Sequence, residues 1–69
     1  MLSHEVVRTI VRLNNNYGWG DVENVRRFLD GRIEVDIISR YRKSHTYIAR
    51  HCGRNSIRFR GHQMQISKE

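Results

Sequence analysis

The stretch Ser56–Ser67, SIRFRGHQMQIS, constrains the fold of this chain more than any other part of it. Turned back on itself at Gly61-His62, it sets Arg60 against Gln63, Phe59 against Met64, Arg58 against Gln65 and Ile57 against Ile66. Every apolar residue then meets an apolar residue and every polar residue a polar one. A slip of one residue would invert the pattern, so the spacing predicts a β-hairpin with Ile57, Phe59, Met64 and Ile66 inward. Glycine at the first central position of the loop suits a type II′ turn. Arg58, Arg60, Gln63 and Gln65 are left together on the outer face.

A chain of 69 residues is one domain, residues 1–69, with a thin core. Its single cysteine, Cys52, excludes an intrachain disulfide, and the spacing of His45, Cys52 and His62 matches no zinc-ligand pattern, so no metal or cofactor is expected. Association into a homodimer, or a bound partner, is the expected supplement to so small a core. No apolar run is long enough to span a bilayer, and MLSHEVVRTIVR lacks the layout of a secretory signal. With a free thiol besides, the expected location is cytoplasmic.

Charge separates the chain into halves. Residues 1–36 hold five basic and six acidic side chains, whereas residues 37–69 hold eight basic side chains against Glu69 alone. No acid interrupts the sequence from Ile37 to Lys68. Solubility is ordinarily served by interspersed charges of both signs, so this segregation points to a polyanionic partner. Eleven of the thirteen basic residues are arginine, whose planar fork engages phosphate in bidentate fashion and can read guanine edges.

Ser3 can cap a first helix carrying Val6, Val7, Ile10 and Val11, which Asn14, Asn15 and Asn16 would end. A second helix is predicted from Asp21 as N-cap, Val22, Val25, Phe28 and Leu29 on one face, and Gly31 past the end. Between them, NNNYGWG reads as a tight connection with Trp19 in the core, while Tyr17 or Trp19 stacking on a base is the functional alternative. RIEVDIIS alternates Ile33, Val35 and Ile37 against Arg32, Glu34 and Asp36, the period of a half-buried strand, and HTYIARHC is rich in strand formers. A four-residue connection, Gly53 to Ser56, would however bring Arg50 opposite Phe59.

The expected fold is therefore α+β, two N-terminal helices followed by a small antiparallel β-sheet ending in the hairpin. The alternative places Ile37, Tyr41, Ile48 and Cys52 on a third helix, which gives the element order of a winged helix with three helices and a C-terminal wing hairpin. Under either reading the expected function is nucleic-acid binding and regulatory, with DNA favoured over RNA. The contacts would come from Arg40, Arg42, Lys43, Arg50, Arg54, Arg58, Arg60, Gln63 and Gln65, with Tyr41 and Tyr47 available for base stacking. Two other readings use the same residues. A small regulator or inhibitor would dock its basic half on an acidic protein surface. A ribonuclease would use His45 and His51 as acid and base, but no triad or metal spacing accompanies them, so binding is read ahead of catalysis.

Overall fold

A computed structural model describes residues 3–66, so Ser67, Lys68 and Glu69 at the end of the basic half lie outside the described residues. One helix, α1 (His4–Tyr17), precedes five strands: β1 (Asp21–Arg27), β2 (Ile33–Ile38), β3 (Ser44–Cys52), β4 (Ser56–Phe59) and β5 (His62–Gln65). The strands form one antiparallel meander in the order β1-β2-β3-β4-β5. No described helix is long and apolar enough to cross a membrane.

Helix α1 starts where Ser3 accepts a hydrogen bond from the Val6 amide. It runs through the asparagines to Tyr17, and Gly18 closes it in the left-handed region, donating its N–H to the Asn14 carbonyl at 2.9 Å. Asn14 fails to stop the helix because its side chain is buried and its amide donates to the Gly20 carbonyl at 2.7 Å, tying the helix end to the start of β1. Asn14→Ala should therefore lower stability by about 1–3 kcal/mol in urea titration, the cost of leaving that carbonyl unpaired.

The core is a single layer between α1 and one face of the sheet. Val6, Ile10 and Leu13 of the helix meet Ile33, Val35 and Ile37 of β2, Ala49 of β3, and Ile57 and Phe59 of β4, with Met64 and Ile66 packed at the margin. The alternation in β2 and the inward set of the hairpin are thus the residues that line this face.

The second predicted helix is absent: Asp21–Arg27 is a strand. The register shifts between Val22 and Asn24, with Val22 opposite Ile37 and Val25 opposite Val35, so Glu23 is the extra residue of a β-bulge. A bulge lets residues three apart point to the same side of a strand. Val22 and Val25 both pack on the core this way, reproducing helical spacing in an extended segment. Asp21 pairs with Ile38 instead of capping, and Gly31 belongs to the β1–β2 turn, where its N–H donates to the Phe28 carbonyl. The winged-helix alternative falls with the same observation, since Ile37 and Ile48 lie on neighbouring strands and Tyr41 in the turn joining them.

The hairpin turn also differs from expectation. Phe59 pairs with His62 and Ile57 with Met64, so the central residues are Arg60 and Gly61, both at positive φ (52° and 79°), as in a type I′ turn. The register has slipped by two residues, which preserves the faces. Likewise Cys52 pairs with Ser56 across a three-residue loop, so Ala49 rather than Arg50 stands opposite Phe59, and the arginine stays off the apolar side. Strand β3 pairs with β2 over Ser44–Ile38 to Ala49–Ile33 but with β4 only from Ala49 onward. Among the described residues, its first half has no strand beside it on that side.

Candidate nucleic-acid interface

Strand alternation decides which side chains occupy the face of the sheet that α1 leaves open. On the β1–β2 side this face is neutralised internally. Arg26 reaches Glu34 at 3.1 Å and Asp36 at 3.2 Å, Thr46 donates to Asp36 at 2.7 Å, and Ser44 donates to Glu23 at 3.4 Å. The carboxylates that the sequence confines to the N-terminal half are thus held by their own neighbours.

Across β3 the character changes. Arg50 stands directly opposite Arg58, Arg58 opposite Gln63, and Ser56 opposite Gln65. Neither Arg50 nor Arg58 forms an ion pair among the described residues, whose printed salt bridges centre on Arg26 and Arg32. Beside them a shallow depression of about 330 Å³ is lined by Ile48, Arg50, Arg58, Arg60 and Gly61. Where β4 turns away into β5 and leaves the first half of β3 without a neighbour, Arg60 stands at the gap.

Arg60 is a turn residue, and its guanidinium lies 4.3 Å from the Trp19 ring and 4.1 Å from the Tyr47 ring. Such contacts use the faces of the guanidinium and leave its in-plane N–H donors free. No hydrogen bond or ion pair engages those donors among the described residues. Arg60 is therefore a pre-positioned anion contact rather than an outer-face strand residue.

Comparison of the chain with protein-family models, with curated proteins and with solved structures finds no match. The functional reading consequently rests on the geometry.

Of the other sequence-predicted residues, Arg40, Tyr41, Arg42 and Lys43 form the exposed β2–β3 turn, closed by the Ser39 N–H on the Lys43 carbonyl at 2.9 Å. Arg54 lies in the β3–β4 loop at the other end of β3, so it does not join them. Tyr47 points to the helix side, edge-on to Phe59, while Tyr41 is 77% exposed and has no ring partner. His45 and His51 sit six residues apart on β3, about 20 Å along an extended strand, too far to act as acid and base on one phosphodiester.

One assembly escaped the sequence reading. Tyr17 stacks on His62 with centroids 4.0 Å apart and on Trp19 at 5.0 Å, while Trp19 lies edge-on to Phe59. The hairpin parity carried the signal for His62, which shares its face with Met64 and Ile66. Its meeting with Tyr17 depends on the helix end and could not be read locally.

Proposed function

We propose that this chain binds nucleic acid through the β3–β5 half of its open sheet face, with phosphates held by Arg50, Arg58 and Arg60. The observation that carries the reading is the cross-strand Arg50–Arg58 pair without a carboxylate partner. Like charges directly opposite one another cost roughly 0.2–1 kcal/mol relative to neutral pairs, a cost that a bound anion offsets. Paired guanidiniums and two amides on one face supply phosphate contacts and hydrogen bonds to base edges, and the exposed β2–β3 turn adds further positive charge.

The test is the double variant Arg50→Gln/Arg58→Gln in titrations with labelled oligonucleotides across a salt series. It should bind more weakly, with the slope of log affinity against log salt reduced by about 1.5–2, and melt no earlier than the parent chain. Unchanged affinity would remove the face from the binding site. Absence of binding by the parent chain to any nucleic acid would direct the basic half to an acidic protein surface instead.

A further inference from the structure

The interface just proposed leaves open whether its ligand is a duplex or a single strand. Two features beside it bear on that choice. The first is the ring stack at the end of α1. Tyr17 lies 4.0 Å from His62 and 5.0 Å from Trp19, and those two rings are 5.6 Å from each other. A sandwich around Tyr17 would separate His62 and Trp19 by about the sum of the two spacings. The shorter separation puts both rings on one side of Tyr17, and the residue is half exposed. The other face of its ring is therefore not covered by a ring of this chain. The second feature is Arg60, which belongs to both places: it lines the depression with Arg50 and Arg58, and its guanidinium lies over Trp19. Phosphate donors and a free aromatic face are thus joined by one side chain.

Resting on the proposed nucleic-acid interface, we infer that its ligand is single-stranded, with phosphates on Arg50, Arg58 and Arg60 and an unpaired base stacked on Tyr17. A duplex keeps its base faces stacked inside and offers none to a tyrosine ring, whereas a single strand can turn bases outward. The one helix lies on the opposite side of the sheet from Arg50 and Arg58, so no helix accompanies those arginines into a major groove. Tyr17 is preferred to Tyr41 as the platform because His62 and Trp19 already hold its ring, whereas Tyr41 would lose side-chain freedom on stacking.

The test compares short fluorescent single-stranded DNA and RNA with a duplex of the same length, using the whole chain, Tyr17→Leu, Tyr17→Phe and Tyr41→Leu. Single strands should bind more tightly than duplex. Tyr17→Leu should weaken them about tenfold without altering the salt slope, while Tyr17→Phe and Tyr41→Leu stay near the parent value. Photocross-linking of an iodouracil-substituted strand to the parent chain, mapped by peptide mass, gives a readout independent of variant folding and should mark Tyr17. Equal or tighter duplex binding, or a cross-link confined to Tyr41, would overturn the single-strand inference while leaving the arginine interface standing. Failure to bind any nucleic acid would overturn both.

Discussion

Phe59→Ala should lower the melting midpoint by at least about 15 °C and leave a large unfolded fraction at room temperature, as followed by circular dichroism during heating and urea titration. Phe59 is fully buried, stands opposite Ala49, and meets both Trp19 and Tyr47 edge-on. Removing a buried phenyl ring typically costs about 3–5 kcal/mol, against a total stability of roughly 3–10 kcal/mol for a domain of this length. The single-layer core has no second sheet to move inward and fill the space. The same ring supports Trp19 and Tyr47, which carry Arg60, so partial refolding at low temperature should still leave nucleic-acid binding impaired. A shift below about 5 °C would show that the hairpin is not anchored through Phe59.

Gly20→Ala should destabilise the chain by about 2–4 kcal/mol, well beyond the roughly 1–2 kcal/mol expected for Gly18→Ala. Both glycines have positive φ, 66° at Gly18 and 123° at Gly20, but their surroundings differ. A Cβ on Gly18 would meet nothing within 4 Å, whereas one on Gly20 would collide with the backbone carbonyl of Ile38. Relief would require β1 to move away from β2 at the point where Asp21 and Ile38 pair, and would disturb the carbonyl that accepts from Asn14. Equal losses in the two variants, measured by urea denaturation, would show that backbone conformation alone accounts for Gly20.

The sequence was informative where periodicity and burial coincide. Ile33, Val35 and Ile37 alternate and line the core, and the inward residues of the last hairpin were identifiable although its turn was not. Phe59–His62 pairing differs from the expected register by two residues, and apolar alternation is blind to even slips. The segment from Asp21 was misread because a bulge at Glu23 gives Val22 and Val25 a helical interval. Nothing in a local window separates that from an amphipathic helix. Site residues divide in the same way. The acid-free half was visible as composition, but the opposition of Arg50 to Arg58 depends on the length of the Gly53–Asn55 loop. The stack of Tyr17, Trp19 and His62 joins a helix end, a connector and the last strand, so it exists only after folding.

The half-paired course of β3 bears on how copies of this chain meet. A bare strand edge invites the same edge of another molecule, and β3 carries one beside its first half. Arg60 stands at that gap, so two copies approaching along it would bring their guanidiniums toward each other. The positive charge that draws a polyanion to this side of the sheet is also a barrier to sheet growth from molecule to molecule. Arginine variants here should therefore be checked for solubility alongside affinity, since a neutral edge removes both effects together.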